Sequence, residues 1–115
     1  MSDVRQQASA GSPERDPVVM RRCPTILPLL DPHGLTARWI DAEDESVDDE
    51  VDVRLEGSDE ELGGIQYCGE GVWMANAWTS AQREAMAHGL PRTDPAVAAA
   101  DLVGLLERHN RIAAQ

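Results

Sequence analysis

The 115-residue sequence has no lysine, no phenylalanine and only two cysteines, Cys23 and Cys68. Two cysteines are too few for a disulfide scaffold and are typical of reduced thiols in a cytosolic protein. The apolar runs, such as Ile26-Leu27 and Leu29-Leu30, are far shorter than the roughly 20 residues that span a membrane. The N-terminal residues lack the apolar segment of a secretory signal. We therefore expect a cytoplasmic protein that does not enter a membrane.

The charge composition is one-sided. There are 21 acidic residues against ten positive ones, a net charge of −11, and all ten positive residues are arginine. Because affinity for nucleic acid comes mainly from Lys and Arg that replace counterions, direct binding to nucleic acid is disfavoured. The use of Arg without Lys, together with abundant Ala, is typical of a GC-rich genome and indicates a high-GC bacterium or one of its phages.

The surplus of acids lies in one segment. From Asp41 to Glu61 there are twelve acids and one positive residue, Arg54, so this segment accounts for the whole net charge. Its first ten residues contain no turn motif, and their like charges repel one another. We predict a mobile acidic loop at 41–50 and propose its acids as the partner-binding residues: Asp41, Glu43, Asp44, Glu45, Asp48, Asp49 and Glu50.

The first 22 residues are rich in Ser, Gln, Pro, Gly and charge, and they cannot bury enough surface to offset the chain entropy lost on folding. We predict a disordered arm at 1–22 and a single domain at 23–115. Pro24, Pro28 and Pro32 exclude a helix interior over residues 23–34. This stretch is predicted to adopt extended or turn geometry and to lie as a strap across the core, with Ile26, Leu27, Leu29 and Leu30 as its aliphatic residues.

Alternating apolar residues predict strands at 35–40 and 51–55. Two further strands, at 65–68 and 72–78, flank the turn Gly69-Glu70-Gly71. Because Ala and Met also favour helices, the run at 72–78 could instead begin a helix.

Two helices complete the predicted fold. Thr79-Ser80-Ala81-Gln82 matches a capping box and predicts a short helix over 80–88. Asp94 followed by Pro95 predicts the start of a long helix that continues to about residue 113. The fold class is thus α+β, with a small antiparallel sheet of about four strands, one short helix and one long C-terminal helix.

The candidate chemistry is sparse. Cys68 with His88 or His109 matches no known motif of a cysteine enzyme, and a buried cysteine is commonly a small apolar residue. Cys23, His33, Cys68 and a further histidine lack the short paired spacing of zinc sites. The acidic loop lacks the glycine of a calcium loop, and no glycine-rich phosphate loop is present. We predict no enzymatic activity, no metal and no cofactor.

The leading hypothesis is a small regulatory or interaction protein that docks on a basic protein surface through the acidic loop. If the partner is a nucleic-acid-binding protein, the carboxylates would stand in for phosphates. The alternative is a structural or assembly subunit of a phage particle or homo-oligomer that uses a Trp-rich surface. A second alternative is a small metal-dependent protein that uses the cysteines and histidines.

Overall fold

The computed structural model describes residues 15–41 and 49–113, in which five antiparallel strands form one sheet in the order β1-β2-β3-β4-β5. Each strand therefore pairs with its neighbour along the chain. The α+β prediction is confirmed, with one strand more than expected. The strands are β1 Leu35–Ile40, β2 Glu50–Leu55, β3 Glu61–Gly69, β4 Val72–Trp78 and β5 Met86–His88.

The helices contribute their buried residues to one side of the sheet, which we call the inner face. They are α1 Pro17–Arg22, α2 Leu27–Leu30 and α3 Pro95–Arg108. The opposite side, the outer face, carries the alternate residues of every strand. The core between the helices and the inner face includes Leu30, Val51, Val53, Ile65, Ala75, Leu102 and Leu106, all fully buried.

An irregularity in β3 brings two strands and a helix close together. Val53 lies opposite Gly63 but Arg54 lies opposite Glu61, so Leu62 is an extra residue in the β2–β3 ladder. Such a bulge lets two successive residues face the same side of a sheet. Leu62 is buried, and a Cβ on Gly63 would lie 3.2 Å from a methyl of Leu102. The bulge thus supplies a core side chain and a close contact between β3 and α3.

The N-terminal part differs from the predicted disordered arm. Residues 1–14 lie outside the described residues, but Pro17–Arg22 is a helix that packs against β1. Asp16 begins this helix, since its carboxylate accepts hydrogen bonds from the backbone N–H groups of Val18 and Val19. Val19 is fully buried. The folded unit therefore starts before residue 23, and the pair Asp16-Pro17 is the same start signal as Asp94-Pro95.

Of the extended and turn geometries expected for 23–34, the structure shows turns, and these are short pieces of helix. Short 3-10 helices at Pro24–Ile26 and Asp31–His33 flank α2. Each proline stands in the first turn of its own short element, where its missing N–H costs no hydrogen bond. The prolines do prevent one long helix, and Ile26 and Leu30 are buried as predicted.

The short helix predicted at 80–88 is wrong. The Thr79 hydroxyl donates to the carbonyl oxygen of Ala85, 3.1 Å away, instead of accepting a bond from Gln82. The chain turns back through residues 79–85, and Met86–His88 pairs with β4 as a fifth strand.

The run at 72–78 is a strand, and the long helix ends at Arg108, five residues before the predicted end.

Candidate functional site

Three carboxylates lie together on the outer face. Glu50 and Asp52 alternate along β2, and Glu61 begins β3. Asp52 lies opposite Gly64 in the next strand. A Cβ on Gly64 would come within 3.0 Å of the Glu50 carboxylate. The absence of a side chain at Gly64 thus makes room for Glu50 to lie across the sheet.

The three carboxylates crowd one another electrostatically. Burial raises the pKa of Glu50, and the charges of Glu61 and Asp52 raise it further. Burial also raises the pKa of Glu61, as does Asp52, while nearby Arg83, Arg54 and Trp78 oppose this effect. A carboxylate whose pKa is raised by like charges would gain from a nearby cation. Two arginines, Arg54 and Arg83, pair with two of the three carboxylates, so an excess of negative charge remains on this part of the outer face.

Asp52 is the most buried of the three carboxylates, at 5% exposure. Its Oδ2 accepts hydrogen bonds from Arg54 Nε at 3.0 Å and Nη2 at 2.8 Å. Its Oδ1 has no hydrogen-bond partner within the described part of the chain. One arginine therefore satisfies half of this carboxylate.

An amide network occupies the neighbouring part of the outer face. Asn76 Nδ2 donates to Gln66 Oε1 at 3.0 Å, and Asn76 Oδ1 lies 2.7 Å from His88 Nδ1. With Oδ1 as the acceptor, His88 Nδ1 carries the proton. The network links three strands, β3, β4 and β5. It separates the carboxylates from the β5 edge of the sheet.

A cluster of three aromatic rings lies at the end of the sheet where residues 41–50, which we call the acidic segment, connect β1 to β2. The Trp39 and Trp73 rings pack edge to face, with 6.1 Å between their centroids. The Tyr67 ring packs against Trp73 in a tilted arrangement, with 4.7 Å between their centroids. The Arg22 guanidinium, from the end of α1, lies 4.5 Å from the Trp39 ring centroid and 5.5 Å from that of Tyr67. We call the position over Trp39 and Tyr67, which this guanidinium occupies, the aromatic site.

Both attachment points of the acidic segment contact the aromatic site. Trp39 Nε1 donates to the Asp41 carboxylate at 2.9 Å, immediately after β1. The backbone N–H of Tyr67 donates to the carbonyl oxygen of Asp49 at 2.9 Å, immediately before β2. The segment therefore leaves and re-enters the sheet beside these two rings.

The structure describes three of the seven acids predicted to bind a partner. Asp41 is exposed, Asp49 is half-buried, and Glu50 belongs to β2 rather than to the loop, with its side chain half-buried on the outer face. The other four lie outside the described residues: Glu43, Asp44, Glu45 and Asp48.

Three acids that follow the segment 41–50 form ion pairs with arginine, and these pairs were not predicted from the sequence. Ion pairs join Asp52 to Arg54, Glu61 to Arg83 and Glu60 to Arg111. The first pair follows from the alternation of β2, which places both residues on one face. The other two join residues distant in sequence, and no local pattern indicates them.

The two cysteines have different surroundings, and neither belongs to a candidate metal cluster within the described ranges. Cys23 is buried, and burial raises its pKa to about 11, so its thiol is protonated at neutral pH. Cys68 is exposed on β3. Within 15–41 and 49–113, no group of three His, Cys, Asp or Glu residues could hold a metal ion.

Comparison with known proteins places the chain in no family: no protein-family model, no curated protein and no solved structure matches it. None of the described helices has the length and apolar character to cross a membrane.

Proposed function

We propose that this chain is a non-enzymatic interaction protein that docks on a basic protein surface. The docking surface comprises the acidic segment 41–50 and the half-buried Glu61 on the outer face, and the buried Asp52 adds negative charge there. The observation that supports this proposal most directly is the crowding of Glu50, Asp52 and Glu61 on the outer face: burial raises the pKa of Glu50 and Glu61, and the charges of neighbouring carboxylates raise it further. Approach of a basic group relieves that repulsion, and this relief contributes to binding.

The partner's chemistry follows from the sign of the charge. Phosphate is repelled by this surface, so the ligand is a protein that presents arginines or lysines. Proteins that bind nucleic acid carry such surfaces, and on them the carboxylates would occupy the positions of phosphates. We propose that this encounter takes place in the cytoplasm of a high-GC bacterium or in a phage-infected cell.

An assembly role through a Trp-rich surface is less favoured by the geometry. Trp39 and Trp73 are 7% and 6% exposed and belong to the core, which leaves only Trp78 half-buried on the outer face. In β4, Trp73, Ala75 and Ala77 face inward, while Val72, Met74 and Trp78 are half-buried on the outer face. Two of the three Trp are therefore used for folding, and the outer face does not present a Trp-rich surface.

Salt-dependent capture tests the proposal. The immobilised chain is exposed to a host extract at about 50 mM salt, and retained proteins are released with about 500 mM, because exposed charges are screened within about 10 Å at 0.1 M. One variant replaces the acids of 41–50 by Asn or Gln, and a second is Glu50→Gln with Glu61→Gln. We expect both to lose basic proteins that the native chain retains.

A charge-matched control separates the site from net charge. Glu56→Gln with Glu107→Gln removes two charges from a loop after β2 and from helix α3. This control is expected to retain the same basic proteins as the native chain. The proposal would be contradicted if retention and its salt dependence were unchanged both in the variant of 41–50 (the segment variant) and in Glu50→Gln with Glu61→Gln (the outer-face variant).

A further inference from the structure

We propose that the aromatic site is a binding site for an arginine side chain of the partner, and that Arg22 of the same chain fills it in the unbound protein. This inference rests on the proposed function, since it identifies the group on the basic partner that the surface recognises. The site is the guanidinium position over Trp39 and Tyr67. A partner arginine would displace Arg22 and stack on the same two rings.

The two rings are held in place independently of Arg22. The chain has three Trp, one Tyr and no Phe, so this cluster gathers three of its four aromatic rings. Trp73 packs against both other rings, Trp39 Nε1 is bonded to Asp41, and the Tyr67 hydroxyl accepts from the backbone N–H of Gly71 at 3.1 Å. A site whose walls are fixed before binding loses little freedom when the ligand enters.

The occupant shows which chemistry the site accepts. Arg22 places its guanidinium 4.5 Å from the Trp39 ring centroid, well inside the roughly 6 Å reach of cation–π attraction. A guanidinium is planar and weakly hydrated, so it stacks on aromatic faces better than an ammonium does. The adjacent Asp41 carboxylate adds attraction for a cation. Arginine is therefore the preferred ligand, ahead of lysine.

Arg22 can leave the aromatic site more easily than an arginine that is held by an ion pair. Its side chain is exposed, and no described carboxylate forms an ion pair with it, whereas Arg54, Arg92 and Arg111 are each fixed by an acid. A cation–π contact at an exposed site favours the state in which Arg22 covers the two rings over the state in which they are open by only about two- to fivefold. The helix that carries Arg22 is held by the Asp16 cap and the buried Val19, so its side chain can leave without unfolding α1.

The neighbouring Arg21 supplies a matched control. Both residues are exposed in the last turn of α1, and replacing either removes one positive charge, but only Arg22 contacts the rings. We would titrate the full chain with a capped peptide of alternating Arg and Gly, and with its Lys counterpart. Binding is read from tryptophan fluorescence and from the NMR signal of the Trp39 indole N–H.

If the site is occupied by Arg22 about two to five times as often as it is open, only about one third to one sixth of the molecules have an open site. The apparent affinity for the peptide is reduced by this fraction, so Arg22→Ala should bind the arginine peptide about three- to sixfold more tightly than Arg21→Ala. The gain should be smaller for the lysine peptide. It should disappear when Tyr67→Leu is added to Arg22→Ala. Circular dichroism and thermal melting establish that each variant is folded before its affinity is compared.

Equal affinities of folded Arg22→Ala and Arg21→Ala would overturn the inference, and so would an unmoved Trp39 indole signal. If these results accompany salt-dependent loss of binding in Glu50→Gln with Glu61→Gln, the acidic docking surface stands and only the aromatic site fails. If the outer-face and segment variants also bind the peptide and the host proteins as the native chain does, the proposed function fails as well.

Discussion

Replacement of glycine by alanine should change stability in opposite directions at Gly63 and Gly104. At Gly63 the added Cβ would lie 2.3 Å from the carbonyl oxygen of Asn76 and 2.9 Å from Cα of Ala77, both backbone atoms of β4. Strands β3 and β4 would have to separate, and overpacking of this kind costs about 1–3 kcal/mol or more. At Gly104, inside α3, the added Cβ meets nothing within 4 Å. There Ala should stabilise the helix by about 0.8–1.0 kcal/mol.

Thermal and urea denaturation, followed by circular dichroism and tryptophan fluorescence, measure both effects. For a domain of this size a change of 1 kcal/mol shifts Tm by about 4–8 °C. Gly104→Ala should therefore raise Tm by about 4–8 °C, while Gly63→Ala should lower it by at least that amount. A Gly63→Ala variant as stable as the native protein would refute the close approach of β3 to β4 at the bulge. A destabilised Gly104→Ala would refute the open space beside α3.

Two further substitutions test the electrostatics. Glu50→Gln should raise the free energy of unfolding at neutral pH. The folded protein holds the Glu50 pKa above its ordinary value of 4.5, so the native protein loses stability as pH rises from 4.5 through the raised pKa. The variant has no ionisable group at this position and does not lose this stability. Urea midpoints should differ at about pH 7 but not at about pH 4, and an equal difference at both would contradict the reasoning. Arg111→Met should cost about 1.5–3 kcal/mol, because this 9% exposed side chain donates to the Trp78 carbonyl and the Glu60 carboxylate. Exposed Arg108→Met is its control in the same melts, and equal losses in the two variants would show that the buried contacts contribute nothing.

The elements that the sequence predicts correctly are those whose signals are local. The alternation of Val51, Val53 and Leu55 identifies β2 without knowledge of the rest of the chain. Gly69 and Gly71 both adopt positive φ, 88° and 77°, as the predicted glycine turn requires. Asp94 with Pro95 begins α3 where predicted, because the cap and the fixed proline φ act within one turn.

The wrong helix at 80–88 shows where local signals fail. Residues 79–82 match a capping box, and the following Ala and Met are good helix formers. Pairing with β4 overrides these preferences, since Ala87 lies opposite Ala77 and contributes to the core. A strand of three residues is too short to show an alternating pattern. Only the neighbouring strand specifies its structure.

The candidate site is predictable from the sequence in part. The concentration of acids at 41–61 is a matter of composition and needs no structure. The register that places Glu61 opposite Arg54, one outer-face position along β2 from Asp52, depends on the extra residue at Leu62, and this bulge is not predicted from the sequence. The contact of Arg22 with Trp39 requires α1 to fold against β1, which the assignment of 1–22 to a disordered arm excluded.

The distribution of arginines argues for a partner of different composition rather than a second copy. Among the described residues, five arginines form ion pairs within the chain: Arg15, Arg54, Arg83, Arg92 and Arg111. A second copy would bring its own net charge of −11, so two acidic surfaces would repel each other. A basic partner brings the missing positive charge, and a partner arginine is chemically equivalent to Arg22, which already lies over Trp39 and Tyr67. The acidic surface would then increase the rate of encounter, and the aromatic site would select arginine among the basic groups that arrive.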